Sequence, residues 1–233
     1  MSLATIFSLL LQISEGANAL QLPSEKKDAG ISVLTLIMKG GWVMIPIFIL
    51  SFLSFYIIIE RILTLSKAAK VPNDFMPRVK QHILNGDING AKMLCAQTDS
   101  PVSRMIEKGV NRLGRPLKDI ESAVENTGKI EVLKLEKNIN VLGIISGIAP
   151  MLGFVGTIAG VITIFYNIAL EENISIGGVA EGLYQKMVTS AAGLIVGIIS
   201  HVGYHYLNLR IERIVFKMES SAMELIDLLQ ENK

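Results

Sequence analysis

The chain has 233 residues, 50% of them hydrophobic and only 18% charged, with a formal net charge of +1, three histidines and one cysteine. Soluble domains carry about 25% charged residues, so this shortage, with a mean hydropathy of +0.47, points to a bilayer as solvent. Near-neutral charge without a basic block argues against nucleic acid as a partner. The lone Cys95 excludes an intrachain disulfide framework, and His82, His201 and His205 form no ligand cluster, so no metal is expected. No phosphate-cradling glycine loop, nucleophile elbow or dinucleotide fingerprint is present, so neither a cofactor nor an enzymatic activity is expected.

Taken in chain order, residues 1–35 form an outward-facing segment. Met1 to Ile13 is apolar but lacks a basic n-region, which favours an amphipathic helix on the membrane surface over a cleaved signal peptide. A first transmembrane helix is expected over 36–62. Its uncharged centre, Gly40 to Ile59, has about the 20 residues that a spanning helix needs. Trp42 suits an interfacial belt, and Glu60-Arg61 closes the span.

Residues 63–138 read as a cytoplasmic helical domain. Asn85-Gly86-Asp87, Asp99-Ser100-Pro101 and Gly114-Arg115-Pro116 supply helix breaks and starts. From Leu117 an apolar periodicity interleaves with Glu121, Glu125, Lys129, Glu131 and Lys134 at pairing distances. No stop separates this helix from the second span, so one continuous helix is expected to run from Leu117 through the membrane.

The second span, 139–170, lies in a window without charge between Lys137 and Glu171. At about 1.5 Å per residue it outreaches a hydrocarbon core of about 30 Å. Ser146, Pro150, Gly153, Thr157 and Gly160 recur at three- and four-residue steps, a stripe suited to a neighbouring helix or a wet cavity rather than acyl chains. A short outward loop, 171–178, carries Glu171 and Glu172. The third span, 179–209, ends at Arg210 and continues as a helix through 210–233. Basic residues flank the spans on the 63–138 and C-terminal sides, so those sides are cytoplasmic and the N-terminus faces outward.

Gly143/Gly147, Gly156/Gly160 and Gly193/Gly197 are each four apart and let helix backbones approach closely. With Pro150 and Gly153 they are the candidate packing residues. Three such pairs on two helices make the second and third spans close neighbours, and three helices leave faces for a homo-oligomer. Thr157 and Ser190, with Thr189, are candidate pore-lining hydroxyls. The plainer alternative is a threonine bonded to its own helix carbonyl, with no further role. No Asp, Glu, Lys or Arg lies deep in a span, so a titratable carboxylate for ion coupling must come from another subunit. His201 and His205 are expected to serve interfacial packing.

The string Ile148-Ala-Pro-Met-Leu-Gly-Phe-Val-Gly-Thr157-Ile-Ala-Gly160 resembles the second-helix motif of the ExbB/TolQ/MotA proton-channel family. Asn85 to Cys95 and Ser100 to Arg104 are similar to its cytoplasmic loop, and Ser190-Ala-Ala-Gly-Leu194 to its third helix. Three spans and this length look like ExbB or TolQ rather than the larger MotA. The resemblance implies an all-α membrane subunit forming a homopentamer around an axial pore. That pore encloses a dimer of a single-span ExbD- or TolR-like protein supplying a membrane Asp. It further implies proton flow across a bacterial inner membrane, coupled to a TonB- or TolA-like energy transducer. By position Thr157 matches the pore threonine of the second helix, and Ser190 that of the third, with Thr189 beside it. A glutamate that many members carry falls here at Gln185, which cannot titrate; Glu181 and Lys186 are the charged alternatives. A non-conducting scaffold and a conventional permease or enzyme subunit are the competing classes. The latter lacks the inverted repeat of transporters.

Overall fold

The computed structural model describes residues 41–170 and 176–231; of Ile176, Glu181 and Gln185 only the backbone is described. The expected surface helix within 1–35 and most of the 171–178 loop lie outside the described residues. Every described element is helical: α1 (Met44–Ala68), α2 (Phe75–Leu84), α3 (Ile88–Gln97), α4 (Pro101–Val110), α5 (Leu117–Glu136), α6 (Ile139–Leu170) and α7 (Ile176–Glu231). Three helical stretches, containing α1, α6 and α7, are long and apolar enough to cross a membrane. Their outer faces are rich in exposed apolar side chains, among them Phe52, Phe154, Ile162, Phe165 and Met187. Such a belt is an aggregation liability in water and a match for lipid or a neighbouring subunit.

Local chemistry explains where the short helices start. Asp87 caps α3 by accepting from the Gly90 N–H at 2.9 Å, after Gly86 turns the chain at φ 72°. Ser100 and Ser103 close a reciprocal capping box on α4: the Ser100 hydroxyl accepts from Ser103 N–H and the Ser103 hydroxyl from Ser100 N–H. Pro101 follows at the first helical position, where no N–H is needed. Pro46 falls in the first turn of α1, so its missing N–H costs that helix nothing.

The expected continuous helix through residues 117–170 is corrected by the structure. The chain breaks between α5 and α6, where Lys137 is extended (ψ 131°) and Asn138 is left-handed (φ 64°). Asparagine tolerates that conformation better than other L-residues bearing a side chain, and lysines in the preceding turn suit a helix C-terminus. Lys134 and Asn138 therefore held a stop signal that the apolar periodicity concealed. Beyond the third span, by contrast, α7 runs without interruption over 56 residues.

A single core joins the lower parts of α1, α6 and α7 to α2–α5. Leu65, Phe75, Val79, Ile106, Leu142, Leu207, Met218 and Leu225 are all nearly inaccessible within it. It clamps the non-spanning helices onto the extension of the third span.

Candidate functional site: the seam between the second and third spans

Helices α6 and α7 run antiparallel along a line where one backbone meets the other. A Cβ placed on Gly193 would stand 2.5 Å from the Ala149 carbonyl oxygen and 3.0 Å from Gly153 Cα. One on Gly153 would meet Ser190 Cα and O at 3.1 Å, and one on Gly197 the Pro150 ring at 2.4 Å. Gly197 also lies beside the Ser146 carbonyl, the group whose helical partner Pro150 lacks. Further out, Gly156 faces the Thr189 methyl and Gly160 the stem of Lys186; further in, Gly143 faces the Tyr204 ring at 3.3 Å. Gly147 alone of the six paired glycines has nothing within 4 Å of such a Cβ. Space is therefore consumed at five of the paired positions and left open at one.

The hydroxyls divide by environment. Thr189 is fully buried where α6 and the start of α1 meet α7, with Gly156 and Val43 around it. Thr157, half-buried, donates to its own Phe154 carbonyl at 2.6 Å. Ser190, also half-buried, lays its backbone on Gly153, one turn of α6 from Thr157. The structure thus brings Ser190, Gly153 and Thr157 into one neighbourhood and places Thr189 behind them, inside the protomer. The positions of Glu181 and Gln185 are helical, and their side chains lie outside the described residues. Lys186 folds its stem over Gly160 and carries its ammonium toward Gly41 at the start of the first span.

Beyond the Glu131–Lys134 pairing, which the spacing marked and the structure shows, three polar features went unrecognised in the sequence. Ser54 of α1 and Ser200 of α7, both buried, share a hydrogen bond of 2.8 Å between hydroxyls. Periodicity can mark each as inward-facing, but 146 residues separate them in the chain. At the end of the first span the buried Arg61 makes a two-pronged contact with Glu60 (2.7 and 2.9 Å) and donates to the Lys134 carbonyl at 3.4 Å. It therefore supplies a donor to the last turn of α5, just before the break. Lower still, Glu131 is 3% exposed and accepts from Arg104 (2.7 and 3.0 Å) and Lys134 (2.6 Å). Burial pushes the Glu131 carboxyl up, but the hydrogen bonds and charges of Arg104 and Lys134 outweigh it and hold the group below the usual carboxylate range. Arg104 also reaches Asp99 at 2.6 Å. His201 and His205, both exposed, meet edge to face at 4.4 Å, with Tyr204 against His205. Among the described residues no group of three or more His, Cys, Asp or Glu is placed to hold a metal.

A seam of glycines and hydroxyls, charged only where Lys186 lies over Gly160, inside a lipid-facing bundle suits close helix assembly. Comparison with known proteins agrees with that chemistry. The model of the MotA/TolQ/ExbB proton channel family matches residues 97–220. The putative biopolymer transport protein ExbB homolog of Methanothermobacter thermautotrophicus is 29% identical over 189 residues, covering 81% of this chain and 67% of that protein. Biopolymer transport protein ExbB of Neisseria meningitidis serogroup A is 24% identical over 189 residues, 73% of this chain and 84% of the relative. Biopolymer transport protein exbB1 of Vibrio cholerae is 32% identical over 87 residues, 37% of this chain and 38% of the relative. The family match covers more than half of the chain, which belongs to the MotA/TolQ/ExbB proton channel family.

Proposed function

From membership of this family we propose that the chain is an ExbB-like stator subunit of a proton-driven motor in a bacterial inner membrane. Five copies surround an axial pore, and within it stands a dimer of a single-span, ExbD-like protein. Proton flow past the subunit is coupled to a TonB-like protein that energises outer-membrane transport. The observation that carries this reading is the second span. It has 32 helical residues without one charge, on which Thr157 and the glycine stripe are the polar features beside Ser190. Hydroxyls can relay a proton but cannot store one, so the titrating carboxylate belongs to the partner. The basic flanks Arg61, Lys134, Lys137, Arg210 and Arg213 favour a cytoplasmic α2–α5 domain and C-terminus, with the N-terminus periplasmic.

Native mass spectrometry of the tagged chain, extracted gently from its own membranes, tests the assembly. Five copies carrying two of a single-span protein with a membrane Asp is the expected mass; a homo-oligomer that never carries such a partner overturns the motor. Thr157→Val is expected to abolish energy transduction while leaving expression and assembly intact, and wild-type transduction in that variant would remove Thr157 from the path. A second reading, a packing scaffold, is favoured by the bond from Thr157 to its own Phe154 carbonyl. It requires Ser190→Ala to be silent and proton flux to be independent of this chain. Service with a TolR- and TolA-like pair is the variant of the first reading that the partner's identity would reveal.

A further inference from the structure

Below the spans, α5 and α7 leave an open groove of about 890 Å³. Its floor is apolar, with Met105, Val124 and Met218, and its edges carry Leu133 and Met223, 68% and 61% exposed. Glu125 and Glu219 stand on its rim; Glu125 is neutralised by Lys129 at 2.6 Å, one turn along. An apolar trough this exposed, clear of the lipid belt, is a surface made to be covered.

The charge pattern of α7 says by what. Glu219 borders the groove, and Glu212, two turns earlier, shares its flank. Lys217 is only two residues from Glu219 and so stands roughly 200° round the helix. Arg213 and Arg210 lie above Lys217 on that opposite flank. Glu212, Glu219, Arg213 and Lys217 are all exposed. Between residues 210 and 219 the helix therefore shows acid toward the groove and base away from it; lower down, the exposed Glu224 stands on the same flank as Lys217. Copies related by rotation about the membrane normal keep each residue at its own depth, so Arg213 and Lys217 of one copy come level with Glu212 and Glu219 of the next. Two different patches meeting head to tail close into a ring when the rotation closes.

We propose that this groove is the subunit seam: the Arg213/Lys217 flank of α7 in one copy seats in the α5/α7 groove of its neighbour. Its cations then stand against Glu212 and Glu219, and its apolar stems lie over the methionine-rich floor. The proposal rests on the homo-oligomeric reading above and names the surfaces that would make it.

The test is disulfide trapping of the full chain in native membranes, with Leu133→Cys at the groove edge and Ser220→Cys, exposed one turn below Lys217. The native Cys95 is 2% exposed, and burial and Glu107 push its thiol up to about 12, so it stays silent. Oxidation is expected to yield a ladder of multiples ending at a closed ring, whereas either single-cysteine variant yields none. Glu219→Lys or Lys217→Glu alone should each lower the trapped fraction by about fivefold, and the double swap should restore it. A missing ladder beside an intact oligomer in native mass spectrometry would overturn the seam and leave the stator reading standing. A chain that is only monomeric would overturn both. Trapping that ignores the charge swaps, or that joins Leu133→Cys to a different protein, would also overturn it.

Discussion

The α6/α7 seam and the Glu131 cluster lie on connected helices but solve opposite problems. In the seam, polarity is nearly absent and proximity does the work. Five of the six paired glycines have a neighbour within contact range of a Cβ, and the Thr157 hydroxyl bonds back to its own helix. In the α2–α5 domain, charge is admitted to the interior provided that it is matched. Glu131 is nearly inaccessible yet satisfied by two cations, and among the described residues no buried side-chain nitrogen or oxygen lacks a partner. The difference follows from the solvent. In hydrocarbon, apolar surface gains little by turning inward, so helices associate through fit and interhelical hydrogen bonds. In water, burying apolar surface holds the domain together, and a paired carboxylate is tolerated within it.

The sharpest way to break that contrast is to add volume to the seam. Gly193→Val is expected to destabilise the folded chain by about 3 kcal/mol or more, because the branched carbon meets a carbonyl oxygen that cannot retreat. Gly147→Val, at the one open position, should cost under about 0.5 kcal/mol within the protomer. Thermal unfolding in one detergent compares them, and equal losses would mean that close approach is not what holds the spans. Next comes Glu131→Gln, with an expected loss of about 2 kcal/mol at pH 7. The figure is kept modest because Arg104 is itself 41% exposed and screened by water. The native carboxyl sits below its ordinary value of 4.5. Its contribution is therefore present in full above about pH 4.5 and lost as pH falls through the native value. The gap between wild type and Glu131→Gln should close in acid, and a gap that widens there would reverse the assignment.

The break between α5 and α6 tests the boundary between the two regimes. Asn138→Gly should be tolerated, whereas Asn138→Val should cost about 1–2 kcal/mol, since a β-branched side chain resists a left-handed backbone. Denaturant midpoints decide it, and equal midpoints would mean that the turn is not held at φ 64°. A smaller effect than at Asn138 is expected for Ser54 and Ser200. A double-mutant cycle through Ser54→Ala and Ser200→Ala should return a coupling of about 0.6 kcal/mol, the usual worth of an interhelical hydrogen bond in a membrane. A coupling of zero would make their hydrogen bond incidental.

Much of this was legible in one dimension. A run of 32 helical residues without charge can only be a buried or lipid-facing helix, and small residues at four-residue spacing permit close approach without dictating it at each position. The stripe from Ser146 to Gly160 therefore located the seam, and the motif around Thr157 located the family. Other features could not be read that way, because they depend on what arrives from elsewhere in the chain. Which glycine faces a backbone and which faces open space is decided by the rotation of α6 against α7. Nothing in the spacing separates Gly143 from Gly147. The stop at Asn138 was written in the sequence but masked by apolar periodicity on both sides of it. The Ser54–Ser200 bond, the Arg61 donor to α5 and the burial of Glu131 join residues 146, 73 and 27 positions apart. Sequence alone determined composition, periodicity and the chemistry of the spans, since these are properties of consecutive residues and their solvent. The tertiary structure decided which polar groups meet, because a hydrogen bond requires two atoms within about 3 Å and chain distance carries no information about that.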